Sequence, residues 1–209
     1  MSYLDDLDQK HDEDLKTLSL YAEENSVPII TDEGRRFLSQ MIRLNQAKKV
    51  LEIGTAIGYS AIAMAKNDPS IQIVTIERDP SMQKKAKASF EGTGLDNQIT
   101  LIEADALEYD ENALKGPFDL LFIDAAKAQS ERFFEKYAPL VRKGGLVITD
   151  NLLFHGLLEA DAPRSKNRNT RQLIKKIDRF NHWVLKRPGY DTQIYSIGDG
   201  MSLSIKRID

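Results

Sequence analysis

A single α/β domain built on a mostly parallel sheet is predicted by three observations. Short apolar, β-branched runs recur at 49–53, 72–77, 99–103, 118–124 and 145–149, each of a length suited to a buried strand. Segments with helical spacing separate them, at 58–66, 80–91, 130–141 and 168–185. Such alternation implies parallel strands joined by helical crossovers, with helices on both faces of the sheet. The chain ends differently. Residues 191–197 and 201–207 alternate polar and apolar around Gly198-Asp199-Gly200, which is a hairpin pattern, so at least one closing strand is antiparallel.

The elements follow in order. Leu4, Leu7, His11, Leu15 and Leu18 fall at helical spacing, so the N-terminal segment 1–26 is expected to be an amphipathic helix over 3–24. Val27-Pro28-Ile29-Ile30 is an extended link. Thr31 is placed to cap the next helix, with Asp32 and Glu33 in its first turn, where the helix dipole favours acids. Phe37, Leu38, Met41 and Ile42 form its inward face. Gly144-Gly145 is expected to close the helix at 130–141 and open the strand at 145–149. The whole of 1–209 forms one domain, in which 152–187 is a basic, substrate-facing insertion and helix.

Composition narrows the function. A hydrophobic share of 41% supports a full core. With no Cys, the chain has no disulfide, thiolate metal site or thiol nucleophile, and it fits a reducing, cytoplasmic setting. The acidic N-terminus is not a signal peptide, and no run approaches the ~18 apolar residues of a membrane span. Net charge is only −3, but the charge is uneven. Arg164, Lys166, Arg168, Arg171, Lys175, Lys176, Arg179, Lys186 and Arg187 crowd one segment, against Asp178 alone.

The strand ends carry the chemistry. Val50-Leu51-Glu52-Ile53-Gly54-Thr55-Ala56-Ile57-Gly58-Tyr59-Ser60 runs from a buried strand through a glycine turn into a helix. Such a turn lets a ligand approach the backbone closely. Its Gly54-x-x-x-Gly58 spacing lacks the central glycine of a dinucleotide fingerprint, which argues against a bound pyrophosphate. Glu77 ends the next strand, where an acid can accept from both ribose hydroxyls, and Asp105 ends the third, where an acid can receive an adenine amino group. Taken singly, Glu77 is more often a solvated strand-end acid, and Asp105 also fits a helix cap. Asp124, Asp150 and Asn151 end two strands expected to be neighbours. Two carboxylates and an amide suit a hard cation such as Mg²⁺, with positions left for water and substrate. Lys127 follows Asp124 closely enough to reach the same cleft, as a general base or as an ordinary helix-start lysine.

These segments together resemble the cation-dependent class I S-adenosylmethionine O-methyltransferases, the catechol and caffeoyl-CoA O-methyltransferase group. The carrying residues are 50–60, Ile76-Glu77, Asp105-Ala106, Phe118-Asp119 through Asp124 to Lys127, Gly144-Gly145, Asp150-Asn151 and Ile197-Gly198-Asp199-Gly200. The resemblance implies a Rossmann-like methyltransferase fold, with a seven-stranded sheet whose last strand is reversed. It implies S-adenosylmethionine held by Ile30, Gly54, Ser60, Glu77, Asp105, Ala106 and Asp124, Mg²⁺ on Asp124, Asp150 and Asn151, catalysis by Asp124 and Lys127, and a homodimer. In such an enzyme the metal grips two vicinal oxygens of the acceptor, which acidifies one hydroxyl and fixes it for attack. Within the family, the chain looks like the branch that methylates 5-hydroxyuridine at the wobble position of tRNA, and the vicinal 5-hydroxyl and 4-carbonyl of that base fit this chemistry.

The basic segment then becomes a candidate RNA surface. Arg164, Lys166, Arg168 and Arg171 are placed to contact phosphates, and Phe154 and His155 to stack on a splayed base. Trp183, spaced with Ile177 and Phe180, fits a core position better. A solvated helix face is the plain alternative for the basic run. Two other functions stay open: a small-molecule catechol or phenol methyltransferase, with Leu152, Leu153, Phe154, Leu157 and Leu158 forming an apolar lid, and a cofactor-binding protein without catalysis.

Overall fold

The computed structural model describes residues 12–154, 156–158 and 167–208. Helices α1 (Glu13–Glu24) and α2 (Asp32–Asn45) precede strand β1 (Lys49–Ile53). Then follow α3 (Tyr59–Ala65), β2 (Gln72–Glu77), α4 (Pro80–Thr93), β3 (Ile99–Glu103), β4 (Phe118–Ile123), α5 (Ser130–Tyr137), β5 (Val141–Thr149), α6 (Arg168–Val184), β6 (Tyr190–Tyr195) and β7 (Met201–Lys206). The seven strands form one sheet in the order β3-β2-β1-β4-β5-β7-β6. The pairs β1–β2, β2–β3, β1–β4 and β4–β5 are parallel, and β7 runs antiparallel to both β5 and β6. The mostly parallel sheet with one reversed closing strand is therefore as the sequence predicts.

Alternation along the strands divides the core. Val50, Leu120, Phe122 and Ile148 face α1–α4 and pack with Leu15, Leu38, Ile62 and Phe90. Leu51, Ile53, Leu121 and Val147 point the other way, onto Phe133, Phe134, Tyr137 and Phe180 of α5 and α6. Trp183 stacks on Phe180, with ring centroids 5.9 Å apart, and meets Phe134 edge-on. It belongs to this second core rather than to a stacking platform.

Local sequence sets the helix ends. Thr31 Oγ1 accepts from Gly34 N at 3.2 Å, so Thr31 caps α2 as expected. Asp12 caps α1, and Lys66 at the end of α3 pairs with both Asp12 and Asp14, tying α1 to the domain. The part of the predicted 3–24 helix before residue 12 lies outside the described residues. Two boundaries differ from expectation. Helix α5 stops at Tyr137, and a tight turn over Ala138–Leu140, containing Pro139, replaces its last residues. Strand β5 begins at Val141, not at 145. Its register against β4 slips between Phe118↔Val141 and Leu120↔Leu146, and Gly144-Gly145 lies in the resulting bulge.

The topology fixes where a ligand can sit. From β1 the chain builds outward through β2 to β3, then returns to place β4 on the other side of β1. Two successive crossovers diverge there, leaving a crevice at the carboxyl ends of β1 and β4, where open α/β sheets bind ligands. At the opposite end, Asp119 accepts from the backbone N–H groups of Lys48 and Lys49 and pairs with Arg142, closing the amino ends of these strands. Among the described residues no helix is long and apolar enough to cross a membrane.

Candidate active site

A cavity of about 380 Å³ opens at that crevice. Ile30, Gly54, Ser60, Glu77, Asp105, Ala106 and Asp124, the residues implied for the cofactor, all line it, together with Lys127 and Asn151. Pro28, Ile29, Tyr59, Arg78 and Phe133 also line it and were not singled out from the sequence. Hydrophobic periodicity had marked none of them, because each lies in a link, a turn or a helix face that looks like ordinary core.

The glycine turn and Glu77 are one unit. Glu77 Oε2 accepts from the N–H groups of Thr55 (3.1 Å) and Ala56 (2.9 Å), and Oε1 from those of Arg78 and Asp79, both at 2.9 Å. The carboxylate thus braces the turn that it was expected to face across a ligand. Asp105 does two jobs. Its Oδ1 accepts from Leu107 N at 2.8 Å, as a cap would, while Oδ2 lies 3.5 Å from Arg78 Nη1 at the cavity mouth.

Ser60 also reaches into the strand beneath the cavity. It lines the cavity, but its hydroxyl donates to Glu52 Oε1 at 2.5 Å. Thr75 Oγ1 donates to Glu52 Oε2 at 2.6 Å, and Thr55 Oγ1 lies 2.6 Å from Thr75 Oγ1. Glu52 is fully buried in β1, and no role was assigned to it from sequence. The available signal was an acid between Leu51 and Ile53 in an apolar run. Burial pushes this carboxyl up to about 7, against the two hydroxyls that favour its ionised form.

A carboxyl raised on folding contributes stability that is full below its ordinary 4.5 and is lost as pH rises through about 7. Glu52→Gln removes that dependence. Its stability relative to wild type is expected to rise across this window by roughly 3 kcal/mol and then stay level. Urea melts at about pH 5 and about pH 8 check this; a pH-independent difference between the two proteins would overturn it.

Asp124, Asp150, Asn151 and Lys127 gather beside the turn. Asp124 N donates to Ile53 O, and Asp150 N to Ile123 O, so the sheet's own ladder sets both acids at neighbouring strand ends. Asp150 is 7% exposed. Burial and their mutual repulsion push its carboxyl upward, and Asp124 rises through burial and the nearby Glu52. Asn151 adopts a left-handed backbone with φ 67°, which turns its amide back so that Nδ2 donates to Asp124 Oδ1 at 2.9 Å.

The donor set fits a hard cation. Two neighbouring carboxylates, Asp150 buried and Asp124 half-buried, that repel one another are what a divalent ion would neutralise, and the amide of Asn151 supplies a third oxygen once its two ends exchange. Among the described residues no three His, Cys, Asp or Glu side chains converge on one point, so water and substrate would complete such a site. Lys127 begins the short turn Lys127–Gln129. Its Nζ lies 3.6 Å from Asp199 Oδ2 and 4.8 Å from the centroid of the Phe154 ring.

The expected RNA residues are only partly placed. Arg168 and Arg171 lie at the start of α6, which is capped by Asn167 and packs against the Lys127–Gln129 turn. His155, Arg164 and Lys166 lie outside the described residues.

The family model for O-methyltransferases matches residues 6–207. The chain belongs to this O-methyltransferase family. A catechol O-methyltransferase of Niastella koreensis is 30% identical over 217 residues, covering 97% of this chain and 94% of that one. The solved structure of a candidate caffeoyl-CoA O-methyltransferase from Staphylococcus aureus is 45% identical with a TM-score of 0.92, covering 98% of this chain and 97% of that one. The O-methyltransferase TomG of Streptomyces achromogenes, involved in tomaymycin synthesis and solved with S-adenosylmethionine, is 26% identical with a TM-score of 0.81, covering 99% and 95%. Family membership makes methyl transfer to oxygen the reaction class.

Proposed function

We propose that this O-methyltransferase uses S-adenosylmethionine and Mg²⁺ to methylate one oxygen of a vicinal pair, and that its acceptor is 5-hydroxyuridine in tRNA. The single observation that carries the first part is that Asp124, Asn151 and Lys127 line one cavity with Gly54, Glu77 and Asp105, while Asp150 sits close enough to Asp124 to feel its charge. S-Adenosylmethionine supplies the electrophilic methyl group, and its use is supported by the S-adenosylmethionine complex of TomG. Mg²⁺, held by Asp124, Asp150 and Asn151, would supply Lewis acidity toward the acceptor oxygens.

The chain's own residues do the rest. Gly54 admits the donor to the backbone, Glu77 and Asp105 recognise ribose and adenine, and Ile30 covers the donor from the N-terminal link. Lys127 takes the proton released by the acceptor hydroxyl. The basic α6, packed on the turn that carries Lys127, supports an RNA acceptor: its exposed Arg168, Lys175 and Lys176 offer phosphate contacts beside the acceptor side of the site. A small catechol is the second reading, favoured by the catechol O-methyltransferase relative.

The test offers labelled S-adenosylmethionine and Mg²⁺ with tRNA containing 5-hydroxyuridine and, in parallel, with catechol, each with and without chelator. Chelator-sensitive transfer to tRNA, far above catechol, is expected. Transfer to catechol with tRNA inert would reassign the acceptor and reduce the basic face of α6 to a solvated surface.

A further inference from the structure

We infer that Asp199 is a positioning residue for Lys127, so that the working unit on the acceptor side is a lysine–aspartate pair. This rests on the reading of Lys127 as the proton acceptor. The sequence marks Asp199 as the middle of a hairpin turn between β6 and β7, within a segment that carries the family resemblance, and assigns it no role. In the fold, the reversed strand β7 lies beside β5, and the turn is delivered to the end of β5, next to Asp150 and Asn151.

The turn is locked there by its backbone. Leu152 N donates to Gly200 O at 2.9 Å, and Leu153 N to Asp199 O at 2.8 Å. Gly200 has φ +88°, and a Cβ on it would stand 2.5 Å from Leu153 Cγ and 2.7 Å from Leu153 N, so the two segments meet without room for a side chain. On the other side, Gly198 N donates to Glu33 Oε2 at 3.2 Å. Held from both sides, the Asp199 side chain is only 10% exposed, and its Oδ2 lies 3.6 Å from Lys127 Nζ.

The aromatic face of Phe154 closes on Lys127 from another direction. A lysine has a long flexible stem, and one that must meet an acceptor oxygen needs its head restrained. A carboxylate set behind the lysine head supplies that restraint. This is the third-group logic of orienting a base. In the step itself the acceptor O–H bond breaks as an N–H bond forms on Lys127, the freed oxygen pair bonds to the methyl carbon, and the S–C pair stays on sulfur.

The test compares wild type with Asp199→Asn, Asp199→Glu and Lys127→Ala, using both 5-hydroxyuridine-containing tRNA and catechol as acceptors. For Asp199→Asn, kcat is expected to fall about tenfold to a hundredfold. KM for S-adenosylmethionine, S-adenosylhomocysteine binding by calorimetry and the melting temperature should stay at wild-type values. Asp199→Glu should recover much of kcat, which a merely structural turn residue would not do. A readout independent of turnover is the ¹³C NMR spectrum after reductive ¹³C-methylation of lysines, with the Lys127 signal assigned by its loss in Lys127→Ala. That signal should stand apart from the bulk lysines in wild type and join them in Asp199→Asn. An unmoved Lys127 signal, or an unchanged kcat in Asp199→Asn while Lys127→Ala is inactive, would overturn the inference. Full activity in Lys127→Ala would instead overturn the role of Lys127, and the NMR signal would still report whether the pair exists.

Discussion

Asp150→Ala should reduce methyl transfer about 10³-fold or more while leaving donor binding nearly intact. The loss follows from the chemistry assigned to the pair Asp124 and Asp150: a cation bound there is worth several kcal/mol to the transition state, and each 1.36 kcal/mol is tenfold in rate. The retention of binding follows from geometry. Asp150 is not among the residues that line the cavity, and its backbone N–H to Ile123 O bond is kept by alanine. The variant should therefore bind S-adenosylhomocysteine within about threefold of wild type on calorimetry, a change of less than about 1 kcal/mol in binding free energy. Mg²⁺ should raise the wild-type melting temperature and leave that of the variant unmoved. Full turnover in the variant, or wild-type turnover that survives excess chelator, would remove the metal from the mechanism.

Much of this site was legible in the sequence because α/β sheets collect strand ends on one edge. Once 49–53, 72–77, 99–103 and 118–124 are strands of one parallel sheet, Gly54, Glu77, Asp105 and Asp124 must share that edge, whatever the side chains between them do. What stayed hidden depended on contacts that no local pattern encodes. Glu52 looks like one polar break in an apolar strand, and only the packing of Ser60 and Thr75 onto it reveals a buried network beneath the glycine turn. Asp199 was visible as part of a turn, but its approach to Lys127 needs β7 to be reversed and seated beside β5. The glycine pair at 144–145 misled in the opposite sense. Glycines punctuate helix ends so often that a bulge inside β5 was not the natural reading, and the register slip against β4 is what decides it.

Gly54→Ala should have the opposite signature to Asp150→Ala, losing binding before chemistry. Gly54 has φ +96°, a conformation that costs any residue with a Cβ, and the added atom would stand 2.3 Å from Asp124 O and 2.8 Å from Asp124 C. Neither neighbour can recede. Gly54 N donates to Ile76 O and Asp124 N to Ile53 O, so the end of β1 is stitched to β2 and β4 at the place where the alanine would push. Strain at a left-handed position and overpacking against backbone together should cost about 2–5 kcal/mol of stability. Relief of that strain must move either the glycine turn or the backbone of Asp124, and both line the cavity. S-Adenosylhomocysteine affinity is expected to drop by about a hundredfold, the scale of two to three kcal/mol at a displaced site. Urea melts and calorimetry measure the two effects separately. If the variant is destabilised yet binds S-adenosylhomocysteine normally, Gly54 closes the sheet but does not cradle the donor.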